Sequence, residues 1–176
     1  MFSRILVLFP LVALAVANPL VARTEVAPLQ KDLDGMAQTV TAMQTSCANF
    51  KSHVDLSHAA AVAAVAKTLD TQIKAATKDI PAHVVSDADG QAVCDSLESF
   101  LPELVATFES FIELKEDFNA VHVGPIVCSS VTTLAADNLQ FINGLLAATP
   151  PSSKARAQTM ATQINTEATK VKAAYC

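Results

Sequence analysis

Val26, Leu29, Leu33, Met36, Val40, Met43, Cys47, Phe50 and Val54 follow one another at alternating intervals of three and four residues. Only a helix gathers such positions onto one face, and a seam of this length has to be covered by other helices. Pro28 falls in the first turn, where its missing N–H would have no intrahelical partner anyway. This seam is the clearest structural signal in the chain.

The periodicity stays helical to the end of the chain. A second helix is expected after Ser57, a candidate N-cap, running to about Asp79 ahead of Pro81, with Val62, Val65, Leu69, Ile73 and Ile80 as its seam. Alanines at 59, 60, 61, 63, 64 and 66 allow close packing on it. A third opens at Ser86-Asp87-Ala88-Asp89, where acidic residues suit the helix dipole, and ends near Asn119. Pro102 lies inside it and predicts a kink or a split. A fourth starts at Gly124-Pro125, with proline at N1, and stops at Pro150-Pro151; a fifth runs from Ser152 or Ser153 to the C-terminus. The expected fold is all-α, an antiparallel bundle of about five helices joined by short loops.

Phe100, Phe108, Phe111 and Phe118 lie on the third helix within an arc of roughly 80°, widened by Leu97, Leu101, Leu104 and Ile112. In a chain with no tryptophan and one tyrosine, this face holds most of the aromatic mass. Core packing is the ordinary reading of such a stripe. The sharper one is the wall of a lipid-sized pocket, or a face that opens onto a hydrophobic surface.

The first residues have the form of a secretory signal: Arg4, then an apolar stretch from Ile5 to Val16, then Ala15 and Ala17 as an A-x-A cleavage site. The expected organisation is a signal peptide over 1–17, a short segment over 18–24 and a helical-bundle domain over 25–176, secreted, with cell-wall association as the alternative location. No later run is apolar enough for a transmembrane anchor. The formal charge is −5 for the full chain and becomes −6 once Arg4 is removed. An acidic chain argues against nucleic acid as a partner. Charge is unevenly spread: residues 87–117 carry nine acidic residues against Lys115, while 120–149 carry Asp137 alone. The latter stretch reads as the buried centre of the fold or as an unusually apolar surface.

Four cysteines remain after the signal, an even number that in a secreted chain predicts two disulfides. Counting along antiparallel helices places Cys128 and Cys176 about three residues out of step, roughly 4–5 Å. Cys47 and Cys94 come out about nine residues, or roughly 13 Å, apart, and Cys47–Cys128 fares worse. The expected pairs are Cys47–Cys94 and Cys128–Cys176.

Catalytic material is scarce. The chain has no G-x-S-x-G, no H-E-x-x-H and no glycine-rich phosphate loop. His53, Asp55 and His58 have spacing that could suit a metal, but loop polarity with capping by Ser57 is the ordinary and preferred reading. The chain is read as non-enzymatic, with no metal and no cofactor.

The segment VSDADGQAVCDSLESFLPELVATFESFIELKEDFNAV, with its S-D-A-D helix start, Pro102 and the K-x-x-F of Lys115 and Phe118, resembles the centre of the fungal hydrophobic surface binding protein A family, which also covers cell wall galactomannoproteins. The near-uncharged helix that follows, then Pro150 and an Ala-rich last helix ending in Ala-Ala-Tyr, are similar too. The resemblance implies a secreted helical bundle that adsorbs to hydrophobic surfaces, with some members recruiting secreted hydrolases and related mannoproteins enclosing fatty acids. It implies no catalytic residues. By helical spacing, the apolar pocket or face is assigned to Leu97, Leu104, Phe108, Phe111 and Phe118, with Val131, Leu134 and Phe141 opposite. The competing reading is a structural cell wall mannoprotein without a defined ligand; it lacks any N-x-S/T glycosylation sequon.

Overall fold

The computed structural model describes residues 25–176; the expected signal peptide and the 18–24 segment lie outside them. Among the described residues there are six helices and no strand: α1 Ala27–Ser52, α2 Leu56–Lys78, α3 Asp87–Glu113, α4 Lys115–Ala120, α5 Gly124–Ala148 and α6 Pro151–Tyr175. The heptad seam of α1 is buried from Val26 to Phe50, whereas Val54 lies past the helix end and is exposed.

Local chemistry sets the boundaries. Asp55, not Ser57, caps α2 by accepting from the His58 N–H, and Ser86 caps α3 by accepting from the Asp89 N–H. Gly124 takes the first position of α5, so Pro125 is second. Pro102 does not split the third helix: α3 continues through it, and the break falls at Leu114, producing the short α4 and raising the helix number from five to six. Pro102 is exposed, so water can take the carbonyl bond that its missing N–H leaves open.

Consecutive long helices alternate in direction, but neighbours across the bundle run parallel. Thr41 and Gln44 meet Glu103, and Lys51 meets Glu113, so α1 and α3 advance together. In α3 and α6, Asp87 meets Ser152, Asp95 and Glu98 meet Arg156, and the Phe111 carbonyl meets Tyr175. In α2 and α5, Lys74 reaches Asp137, and Ile80 packs on Gly144. The helices thus close a ring in the order α1, α2, α5, α6, α3. The like-directed α1, α3 and α6 form one layer, and α2 with α5 forms the other. The acidic face of α3 is the rail along which its two neighbours are fixed.

This register corrects one disulfide. Cys128 and Cys176 are bonded, with Cα atoms 5.4 Å apart, but Cys47 and Cys94 are both free and buried. Because α1 and α3 are parallel, Cys94 stands level with Asp32 of α1, fifteen residues or roughly 22 Å from Cys47. Counting through α2 gives the right relative direction of α1 and α3 but not their direct register, which the contacts of Thr41 and Lys51 set.

The interior falls into two apolar clusters. The larger includes Leu29, Leu33, Val93, Leu97, Phe141, Leu145 and Met160, and closes the end where α1 begins. There Gly90 lets α3 approach the α5–α6 corner: a Cβ on it would stand 2.5 Å from the Pro150 ring. The smaller, around Met43, Phe50, Leu114, Phe118 and Val127, closes the other end, with the Phe50 and Phe118 rings stacked at 4.5 Å. The low-charge helix α5 is not the buried centre; it is one wall of the ring and leaves Ile126 and Leu139 exposed.

Candidate functional site

Between the two clusters lies a cavity of about 340 Å³, within the size range of small-molecule sites. All six helices contribute to its wall, and the wall contains no charged residue. Its polar side chains are Thr107, Ser130 and Asn138. The Thr107 hydroxyl is already committed, donating to the Glu103 carbonyl at 2.8 Å.

Six of the eight residues assigned by helical spacing line this cavity: Leu104, Phe108 and Phe111 from α3, Phe118 from α4, Val131 and Leu134 from α5. The other two do not. Leu97 and Phe141 are buried in the larger cluster. Each lies one turn beyond the last lining residue of its helix, Phe100 on α3 and Asn138 on α5. These antiparallel helices reach the closed end together, so the stripe ran in the right direction and the cavity stopped a turn short.

The spacing argument missed the contribution of the remaining helices. Met36, Val40 and Met43 of α1 line the cavity, as do Val62, Leu69 and Ile73 of α2 and Ile164 and Val171 of α6. Several belong to the very seams that identified the helices, but a seam residue that meets a partner looks the same in sequence as one that meets a void.

The cavity opens sideways between α2 and α5, where the lining residues Leu56, Ala60, Ala63 and Ile126 are exposed. Leu56 and Ile126 retain 63% and 60% of their surface, high for large apolar side chains. At the opposite limit Met36, Ile73, Phe100 and Ile164 are all buried, so the cavity is blind there. Along α2 the lining runs from Leu56 to Ile73, seventeen residues or roughly 25 Å.

The His53, Asp55, His58 group is structural capping. The Asp55 carboxylate takes the His58 N–H at 2.9 Å and meets its Nδ1 at 2.9 Å, and the two imidazoles stack at 5.0 Å. These hydrogen bonds hold the Asp55 carboxyl below its usual range. Among the described residues, no group of three or more His, Cys, Asp and Glu is arranged to hold a metal ion, and no helix is long and apolar enough to cross a membrane.

Fold and cavity together define a class: all-helical bundles that keep an uncharged, elongated chamber between their helices. The chain belongs to the hydrophobic surface binding protein A family, whose profile it matches over residues 26–147. It is 25% identical over its full length to a cell wall galactomannoprotein of Armillaria ostoyae, of which it covers 92%. Its fold is similar to that of AFMP4P, crystallised in complex with palmitic acid (TM-score 0.80, 22% identity, 86% of this chain and 99% of that one). It is also similar to ligand binding domain 1 of the Penicillium marneffei MP1 protein, complexed with arachidonic acids (TM-score 0.76, 14% identity, 86% and 99%).

Proposed function

We propose that the protein binds a long-chain fatty acid in the cavity between its helices, outside the cell or in the cell wall, without acting on it chemically. The observation that carries this reading is the wall itself: apolar but for Thr107, Ser130 and Asn138, free of charge and roughly 25 Å long on its α2 side. A bilayer's hydrocarbon core of about 30 Å holds two acyl layers, so one chain needs about 15 Å and fits this length. Water that enters from the open side finds few partners on this wall. An acyl chain that fills it is therefore held by dispersion and by apolar burial. The palmitic and arachidonic acids bound by similar folds support the same ligand class. Leu104, Phe108, Phe111, Phe118, Val131 and Leu134 are the side chains assigned to contact it.

The exposed pair Leu56 and Ile126 beside the mouth favours a second role, adsorption to hydrophobic surfaces, through the same opening. Secreted hydrolases recruited at such a surface are the macromolecular partners that this role would serve.

Titration of the delipidated protein with palmitate tests the main reading. A ligand at a hundred times its Kd stabilises by about 2.7 kcal/mol, which for this size raises Tm by roughly 5–10 °C. An unchanged Tm, with no ligand detected by native mass spectrometry, would overturn it.

A further inference from the structure

We infer that the site takes single-chain lipids tail first and leaves their polar heads outside, so that lysophospholipids are ligands as well as free fatty acids. This rests on the acyl-binding reading above and extends it to a second ligand class.

Three observations converge on this orientation. The cavity has one blind end, where Met36, Ile73, Phe100 and Ile164 are each no more than 6% exposed. It has one open side, rimmed by exposed Leu56, Ala60, Ala63 and Ile126. Its wall offers no cation anywhere along its length. An ionised carboxylate drawn to the blind end would be buried without a counter-charge, which is costly; a methyl terminus placed there is not. The head group therefore stays at the mouth, in reach of water. The uncommitted polar side chains of the wall, Ser130 and Asn138, are neutral and supply no counter-charge, so no cation selects a carboxylate over a larger polar head.

The mouth has room for a bulky head because two of the three α2 residues on its rim, Ala60 and Ala63, are alanine, Leu56 being the third. Ala60 and Ala63 are exposed and project only a methyl group each, where the same helix elsewhere carries Leu69 and Ile73. The volume of about 340 Å³ lies near the lower end for small-molecule sites and sets the limit at one chain. Phe100, at the blind end, is the side chain that a lengthening tail meets. Affinity should rise about fourfold per methylene until the tail reaches it, and then level off.

The test is displacement of a fluorescent fatty acid from the full chain by palmitate, palmitoyl lysophosphatidylcholine below its micelle concentration, and dipalmitoyl phosphatidylcholine. Palmitate and the lysolipid should compete within about tenfold of each other, and the two-chain lipid should not compete. Competition by palmitate but not by the lysolipid would place the head inside and overturn the proposal. Failure of palmitate itself would instead remove the acyl-binding reading on which it rests. Ala63→Trp, at an exposed position, should weaken palmitate and lysolipid alike by at least tenfold while the melting temperature without ligand stays unchanged. Unaltered binding of both would put the entrance elsewhere and also overturn it.

Discussion

The Tyr175 hydroxyl donates to the Phe111 carbonyl at 2.5 Å, tying the last turn of α6 to the α3 segment that carries the cavity's aromatic wall. The Tyr175 ring meets Phe118 edge-on at 6.2 Å, so its polar tip and its apolar body are both engaged. Burial pushes its hydroxyl well above the ordinary tyrosine range. Tyr175→Phe should remove about 1 kcal/mol of stability and leave palmitate affinity within twofold, since Tyr175 does not line the cavity. Urea unfolding and a binding titration on the same variant check both halves.

The cysteines predict a definite count. Denatured, unreduced protein should expose two labelled thiols, Cys47 and Cys94, and peptide mapping should recover Cys128 joined to Cys176. In the native state both thiols are buried, and desolvation raises Cys47 to about 11, so alkylation at pH 8 should be slow. A denatured count of zero would restore the Cys47–Cys94 bridge and contradict the register of α1 against α3.

Leu97 and Phe111 separate packing from binding. Leu97→Ala cuts into the solid cluster at the closed end and should cost about 2–5 kcal/mol with palmitate affinity unchanged. Phe111→Ala changes a half-buried wall residue and should weaken palmitate binding beyond any effect on folding. Equal palmitate affinity of the Phe111 variant and the parent protein would take that residue out of the site.

Asp32 contributes stability that is lost as pH rises, opposite in sign to Asp55, Asp70, Glu98 and Glu113, whose carboxyls are held below their usual range. Burial raises the Asp32 pKa, and the neighbouring Asp79 carboxyl of α2 raises it further, against a smaller opposing effect of Lys31. Its Oδ2 is buried without a hydrogen-bond partner, which disfavours the charged form. A folded-state pKa above the unfolded value means stability that is present below the ordinary carboxylate pKa and is lost as pH rises through the raised one. Asp32→Asn should therefore melt higher than the parent at pH 7 and lose that advantage below about pH 4. An identical pH profile for the two proteins would refute this.

Adsorption to polymer beads should be nearly as strong at high as at low ionic strength and should be released by detergent, because apolar burial is not screened by salt. Leu56→Glu with Ile126→Glu should reduce it severalfold. Adsorption abolished by salt would assign the contact to charge instead.

Much of this molecule is legible in its sequence because helical period and capping are local. The α1 seam, the Ser86 cap and the terminator Pro150 each act within a turn or two of themselves. The Leu114 break was missed because its residue carries no breaker chemistry, while Pro102 does and yet is accommodated on the solvent side. The parallel pairing of α1 with α3 depends on Thr41, Gln44 and Lys51 finding partners some sixty residues away, and no local pattern encodes that. The site was half legible for the same reason. The aromatic stripe of α3 pointed at the cavity, but Met36, Ile73 and Ile164 could be assigned to it only once the five long helices were arranged in a ring.

The two-helix layer has a mechanical consequence. The α1–α2 and α5–α6 seams are tied by loops of a few residues, and Cys128–Cys176 staples the second of them again. The α1–α3 and α3–α6 seams have no such tether but are laced by several hydrogen bonds and ion pairs. Between α2 and α5 no loop runs, and the side-chain bridge is Lys74 to Asp137 at 3.3 Å, toward the blind end. The pair behaves like two door leaves hung from opposite jambs and latched at the foot. The seam with the fewest ties is thus the one at which the cavity opens, and the three-helix wall opposite it is the one most firmly laced.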